Sequence, residues 1–156
     1  MKLLDISTPK NPNAFTKFDD IDFDWLNQWK WRLDSTGYAV RTKPNSGKEK
    51  ILLHRFLVNT PKGMFTDHIN GDRLDNQKMN IRYCSRAENN RNRSKCITSI
   101  TSKYKGVYKS YNRYQTSIII DGKKRTFYSN DEIEAAKIYN DMALKYYGDF
   151  AKLNAF

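Results

Sequence analysis

The sequence predicts an α+β chain assembled from small strand-rich modules and not from one large core. Three observations carry that reading. Short alternating apolar stretches are separated by turn dipeptides, above all Asn70-Gly71 and Asp121-Gly122, whose residues accept the positive φ that tight hairpins need. Two Ser-x-x-Glu patterns, Ser85 to Glu88 and Ser129 to Glu132, read as capping boxes that start helices after the strands. Only 38% of the 156 residues are hydrophobic, which favours several modest cores.

Taken in order, Lys2-Leu3-Leu4 reads as an edge strand, and the segment around Pro9 and Pro12 has little periodicity. Asp19, Asp20, Asp22 and Asp24 are expected to face solvent or to cap a short helix over Trp25 to Trp29, because acidic groups favour a helix start. Trp29, Trp31 and Leu33 then alternate, Asp34 to Gly37 supplies a turn, and Tyr38 and Val40 resume the alternation, so a hairpin is predicted with its tryptophans in the core. Polar residues 42–50 form a loop. Leu52, Leu53, Phe56 and Leu57 give a buried stripe, as helix or strand, and His54 within it is assigned a core or supporting place. Pro61 and Gly63 end that element.

Residues 64–69 are predicted extended, with Asn70-Gly71 folding the chain back just after His68. The helix that begins near Ser85 carries Asn89 one turn in. Residues 94–103 read as a linker. From Tyr104 three short strands follow, the last two joined at Asp121-Gly122; Tyr114, Thr116, Ile118 and Ile120 share one face, and Gln115 and Ser117 share the other. A closing helix from Asp131 to Tyr147 carries an apolar stripe of Ala136, Tyr139, Met142, Ala143 and Tyr146. Phe150 and Phe156 are expected to close its small core.

The chemistry concentrates between Phe65 and Arg93. A hairpin carrying Asp67 and His68, packed on a helix carrying Asn89, would bring two oxygen ligands together, and oxygen ligands suit a hard cation. His68 is the group able to take a proton from water near neutral pH. Asn80 is placed to accept from the His68 ring N–H or from nearby backbone. Asp72 and Asp75 look calcium-like, but no acidic loop with a closing Glu surrounds Gly71, so an EF-hand is set aside. Structural zinc is set aside too, because Cys84 and Cys96 are not closely paired and His54 and His68 are the only histidines.

Lys and Arg total 28 against 17 Asp and Glu, a formal charge of +11 that favours phosphate backbones or anionic surfaces. Between Arg82 and Arg113 the one acidic residue is Glu88, so Arg82, Arg86, Arg91, Arg93, Lys95 and Lys105 are expected to lie along nucleic acid. Two cysteines make no disulfide framework, and neither a signal peptide nor a membrane-spanning run is evident, so a cytoplasmic protein without membrane attachment is expected, in a bacterial host if the chain is phage-encoded.

The residues Leu53-His54-Arg55, Asp67-His68-Ile69-Asn70-Gly71-Asp72, Leu74-Asp75-Asn76, Asn80-Ile81-Arg82 and Glu88-Asn89-Asn90 resemble the HNH homing endonucleases of phages and bacteria. The resemblance implies a ββα-metal core, with His68 as general base, Asp67 and Asn89 as ligands of one divalent ion, Mg²⁺ foremost and Mn²⁺ as the alternative, and Asn80 as the residue that orients the histidine. Asn92 lies near the face of Asn89 and stays open as the second ligand, whereas Asn90 sits about 100° round the helix. The DFDWLNQWKWRL…GYAVR pattern is similar to the strand region often joined to such nucleases. From Tyr104 to Asn154 the YKGV…EAAKIYNDMALKYYGDFAKLN pattern resembles an AP2/ERF-type DNA-binding domain, which implies a three-stranded sheet lying in the major groove with Tyr108, Lys109, Arg113, Gln115 and Arg125 facing DNA. The expected organisation is therefore a strand-rich region over 1–50, a nuclease core over 51–93, a basic linker over 94–103 and an AP2-like domain over 104–156. The expected activity is metal-dependent, site-preferring cleavage of double-stranded DNA, as a nick or a cut, by a monomer, with dimerisation left open. The rival is an inactive HNH descendant kept as a DNA-binding or regulatory protein.

Overall fold

In a computed structural model, which describes residues 1–95 and 101–156, the chain folds as two units, Met1–Asn89 and Asn90–Phe156. Cys96 and the middle of the expected linker lie outside the described residues.

The first unit opens on a hairpin. β1 (Lys2–Asp5) pairs antiparallel with β2 (Phe15–Phe18), Lys2 opposite Phe18. A 3₁₀ turn at Asp20–Asp22 runs into the short helix α1 (Phe23–Leu26), which starts two residues earlier and ends three residues earlier than the expected Trp25–Trp29 helix. Of the four aspartates expected to face solvent or cap the helix, Asp22 stands at the N-cap of α1 without a side-chain capping bond and Asp24 lies in its first turn. Asp22 is buried, accepts from the Trp25 indole N–H at 3.1 Å and pairs with Lys78 at 2.8 Å, and Asp19 accepts from the Lys78 amide at 2.9 Å. These bonds fasten α1 to the chain sixty residues on, a contact no local pattern announces.

The predicted tryptophan hairpin forms the strands β3 (Arg32–Leu33) and β4 (Ala39–Thr42), and β5 (Lys50–Leu52) adds to its far edge. Asp34 organises the turn between β3 and β4. Its Oδ1 accepts from the Thr36 amide and hydroxyl and from the Tyr38 amide, at 2.6 to 3.1 Å. Trp31 is buried as expected, whereas Trp29 is 39% exposed. The ambiguous 51–59 stripe resolves as strand end followed by the helix α2 (Leu53–Leu57). One core of Ile6, Phe18, Leu26, Trp31, Ala39 and Leu53, with Leu57 and Leu74 packed against it, gathers residues from both sides of position 50.

β6 (Phe65–His68) and β7 (Ile81–Cys84) form the next antiparallel pair, with Asp67 opposite Arg82 and His68 opposite Ile81. The helix α3 (Arg86–Asn92) follows, started by the predicted capping box: Glu88 accepts from the Ser85 amide at 2.7 Å, and Ser85 Oγ accepts from the Glu88 amide at 3.2 Å.

In the second unit β8 (Val107–Ser110), β9 (Arg113–Ile120) and β10 (Lys123–Ser129) form an antiparallel sheet in the order β10-β9-β8, and α4 (Glu132–Tyr147) packs on one face. The Asp121-Gly122 turn has φ 48° and 74°, the doubly positive geometry that its letters announce. The second capping box is corrected by two residues. Asp131 is the N-cap and accepts from the Glu134 amide at 2.7 Å, while the Ser129 hydroxyl donates to the Glu134 carboxylate. The buried stripe of α4 is Ala135, Ala136, Tyr139 and Ala143, whereas Tyr146 is exposed. Phe156 touches the Tyr104 ring but is 64% exposed, so it does not close the core as expected. Asn154 fastens this end of the chain instead, through bonds to the Lys105 backbone and to Asn140.

Candidate functional site

The β6–β7 pair exists because residues 70–76 turn tightly and are laced back onto β2. Gly71 takes φ 85° at the turn. Asn70 Oδ1 accepts from the Asp72 amide at 2.8 Å, its Nδ2 donates to Asp75 at 2.9 Å, and Asp72 accepts from the Leu74 amide. The two calcium-like aspartates are thus turn acceptors. The loop then bonds to β2 through Lys17 N–H to Leu74 carbonyl at 2.7 Å and Asn76 N–H to Lys17 carbonyl at 2.9 Å.

His68 ends β6 and is buried. Its Nε2 lies 3.1 Å from Asn76 Oδ1. Asn76 Nδ2 donates to Thr16 Oγ1 at 2.7 Å, and that hydroxyl donates to the Leu74 carbonyl at 2.9 Å. Since Asn76 presents its oxygen, the ring proton sits on Nε2 and the lone pair on Nδ1. Burial holds the His68 pKa below its ordinary value, against the Asn76 bond and the nearby carboxylates of Asp67, Asp72 and Asp75. A neutral imidazole in a fixed tautomer is what a general base requires.

Asn80 acts elsewhere. Its Oδ1 accepts from the Asn70 amide at 3.1 Å, and its Nδ2 donates to Asn70 Oδ1 at 3.0 Å and to the Asp75 carbonyl at 2.7 Å. The recorded bonds of this side chain shape the loop, while the bond to the histidine ring comes from Asn76. That role went unread in the sequence, although Asn76 stands within the motif, because a turn asparagine and a ring-orienting one have the same letter.

Two more rings surround the histidine. His54, on α2, lies edge-on to His68 with centroids 5.0 Å apart, and Tyr38 stands 4.8 Å from His54 and 6.1 Å from His68. His54 is buried, its Nδ1 has no hydrogen-bond partner, and burial pushes its pKa down to about 3, with further repulsion from His68 and Arg55. It is a neutral wall of the site.

Asp67 is buried beside His68, and its Oδ2 accepts from Arg82 Nε at 3.2 Å and from Arg82 Nη2 at 3.0 Å. Asn89 sits half-buried on α3, just after the capping box. Cys84, which is buried, lies between these residues: its thiol is pushed up to about 11 by burial and by the Asp67 and Glu88 charges, and it meets the Asn89 amide. Among the described residues no group of three or more His, Cys, Asp or Glu is arranged to hold a metal ion. An Asp carboxylate with an Asn amide oxygen is a different kind of donor set. It fits a hard cation that takes its remaining oxygens from water and phosphate.

The expected phosphate-facing residues divide. Arg86 and Arg93 are exposed. Arg82 bonds Asp67, as above. Lys95 donates to the Tyr104 and Val107 carbonyls at 2.8 Å, Lys105 donates to the Arg91 carbonyl, and the Arg91 guanidinium lies 4.5 Å from the Tyr147 ring. Burial lowers the pKa of both lysines, that of Lys105 to about 8. These three side chains hold the second unit together. On its sheet the register puts Tyr108, Gln115 and Tyr128 in one row across the three strands, with Arg113 on the same face and its guanidinium 4.1 Å from the Tyr128 ring. Lys109 pairs with Tyr114, and Arg125 with Ile118, so both belong by the pleat to the helix-covered face and are exposed only at its edges.

Comparisons with known proteins identify the family of this region. Residues 59–91 match the family model described as HNH endonuclease. The chain is 32% identical over 153 residues to a protein named as an uncharacterized HNH endonuclease of Acanthamoeba polyphaga mimivirus, covering 93% of this chain and 76% of the relative. It is 38% identical over 53 residues to a Bacillus subtilis SPbeta prophage-derived protein named as an HNH homing endonuclease, covering 31% of each. No solved structure matches. The strand pair β6–β7 and the helix α3, over the matched span, form a nuclease core region of the ββα type. The chain belongs to the HNH endonuclease family. Among the described residues no helix is long and apolar enough to cross a membrane.

Proposed function

We propose that this chain is a divalent-metal-dependent endonuclease that hydrolyses phosphodiester bonds of duplex DNA at preferred sites, in the manner of a homing endonuclease. The observation that carries the proposal is the buried, neutral His68, held by Asn76 beside the Asp67 carboxylate. His68 Nδ1 takes a proton from the attacking water, and the ring bond through Nε2 keeps that lone pair directed as the proton arrives. Asp67 and Asn89 would hold the ion, Mg²⁺ or Mn²⁺. When bound, it neutralises charge on the phosphate and on the departing oxygen. Asn80 maintains the loop that carries Asn76. The sheet of the second unit, read as an AP2-like domain, supplies placement: Arg113 and Gln115 are the residue types that read base edges, and exposed Arg86 and Arg93 follow phosphates. One such centre in a monomer cuts one strand.

The test is incubation of the purified chain with supercoiled DNA carrying candidate sites, with Mg²⁺, Mn²⁺ or EDTA. Nicked circles that require the metal and vanish in His68→Ala, with DNA binding retained, are the expected result. A second reading has one observation in its favour: Asp67 already has a cation, Arg82, at 3.0 Å. On that reading the chain binds DNA without cutting it, and no metal condition yields nicks on any DNA that it binds tightly.

A further inference from the structure

Arg41 is the least explained charge in the first unit. It sits on β4 opposite Ile51, is 7% exposed, and its Nε and Nη1 are buried with no hydrogen-bond partner. Aromatic rings surround it: the guanidinium carbon is 4.0 Å from the Trp29 ring centroid, 5.6 Å from Phe56 and 5.7 Å from Trp31. Rings attract the cation through their faces but accept no in-plane N–H, so those donors stay unsatisfied. Native proteins rarely leave such buried donors without a partner, whether from the chain, from water or from a bound ligand.

An opening for that acceptor is present. Arg41 lines a cavity of about 530 Å³, together with Lys30, Arg32, Ser7, Thr8 and Trp29. No Asp or Glu lines it. The volume lies in the range of sites that take small ligands. The Trp31 indole N–H already donates to the Leu26 carbonyl at 3.1 Å, so Trp31 serves the core, while half-exposed Trp29 offers a ring face at the rim. A planar guanidinium with two donors waiting, two more cations and a stacking ring match a phosphate joined to a nucleoside.

We propose that this cavity is a phosphate-binding site that seats one backbone phosphate of the nucleic-acid strand, with Arg41 as its floor and Trp29 against the adjoining sugar or base. The site is separate from the His68 centre. Phe56 and His54 lie two residues apart on α2, which turns them to nearly opposite sides of that helix, one toward Arg41 and the other toward His68. A strand held at the cavity is thereby anchored on the far side of the same helix that walls the cleavage centre. The inference rests on the reading that the chain acts on nucleic acid.

The test uses the full chain with His68→Ala, in EDTA, so that DNA stays intact. The arginine Nε and tryptophan indole resonances are followed by NMR during titration with a DNA duplex, with deoxythymidine monophosphate and with inorganic phosphate. The Arg41 and Trp29 signals are expected to move with the duplex, at a concentration well below that needed for either small probe. Arg41 itself is buried, and its loss risks the fold, so the variant is Lys30→Ala with Arg32→Ala. It is expected to weaken duplex binding about tenfold and to flatten the salt dependence by about one phosphate equivalent. A duplex that binds without moving Arg41 overturns the proposal. Movement with inorganic phosphate or the mononucleotide at equal or lower concentration overturns the strand assignment in favour of a small-anion site. A chain that binds no DNA at all overturns the nuclease reading, and the response of Arg41 to phosphate then decides separately whether the anion site exists.

Discussion

Lowering the pH from 7 to 5 is expected to remove about 2 kcal/mol from the stability of the first unit through His54 alone. The ring has an ordinary pKa of 6.5 and is held at about 3 in the fold, chiefly by burial and then by the His68 and Arg55 charges. A folded value below the unfolded one means that the unfolded chain takes the proton first. The contribution is therefore complete above pH 6.5 and is lost progressively as pH falls toward 3, at about 1.4 kcal/mol per pH unit. His68, lowered for the same main reason, acts in the same direction. Asp34 is a carboxylate held low in the fold. Burial raises its pKa, but bonds from Thr36, Tyr38 and Lys50 outweigh that and hold it at about 2, so its contribution fades only below 3.8. The window from pH 6.5 down to 4.5 thus belongs to the histidines. All three tryptophans lie in the first unit, so urea unfolding followed by tryptophan fluorescence reads that unit by itself. In His54→Leu the fixed cost of substitution shifts the whole curve, but the slope against pH is expected to fall by about 1.4 kcal/mol per unit. Parallel pH profiles for the two proteins would show that His54 is not held neutral, and the account of the site's walls would fail with it.

Asn76→Ala is expected to slow cleavage by about 10 to 100-fold with DNA affinity unchanged, because the ring loses the bond that sets its tautomer; single-turnover nicking beside a binding titration separates the two. Equal rates would return the orienting role to Asn80. Gly106→Ala is expected to unfold the second unit, since its φ is 76° and an added Cβ would stand 2.1 Å from Tyr139 Cδ2. Gly122→Ala, at φ 74° with nothing within 4 Å, should cost only about 1 to 2 kcal/mol of backbone strain, and amide exchange across β8 to β10 compares the pair. Arg113→Ala and Gln115→Ala are expected to relax sequence preference by about 1 to 3 kcal/mol at individual base pairs, whereas Lys109→Ala and Arg125→Ala, on the helix-covered face, leave the preference unchanged; selection from a randomised duplex library shows the difference.

What the sequence made legible was local. The Asn70-Gly71 and Asp121-Gly122 turns and the Ser85-Glu88 capping box are decided by residues within four positions of one another, and each formed where its letters stood. The second box failed by two positions because Asp131 is itself a good cap, and a Ser-x-x-Glu pattern cannot rank two caps competing for one helix start. The site was legible in its motif and not in its bonds. Asn76 meets His68 across eight residues and Thr16 across sixty, and His54 meets His68 only because α2 packs beside β6. The basic run was misjudged for a related reason. Lys95 and Lys105 read as solvent-facing cations, but their long stems reach backbone carbonyls that only the folded second unit provides.

The pairing of Asp67 with Arg82 links the two readings of this centre. A buried carboxylate requires a cation, and the antiparallel register places Arg82 directly opposite to supply one. On the metal-dependent reading proposed above, a divalent ion at Asp67 would compete with a guanidinium already 3.0 Å away. That exchange is costly in isolation, since it strands a mostly buried arginine. It becomes favourable when the ion arrives with DNA, because a phosphate presents Arg82 with the same two-oxygen geometry that the carboxylate withdraws. On that reading metal and substrate would bind as one event, and Arg82, which pairs with Asp67 in the free protein, would become a phosphate contact in the complex. An inactive descendant has no use for that exchange, because its ion pair need never open.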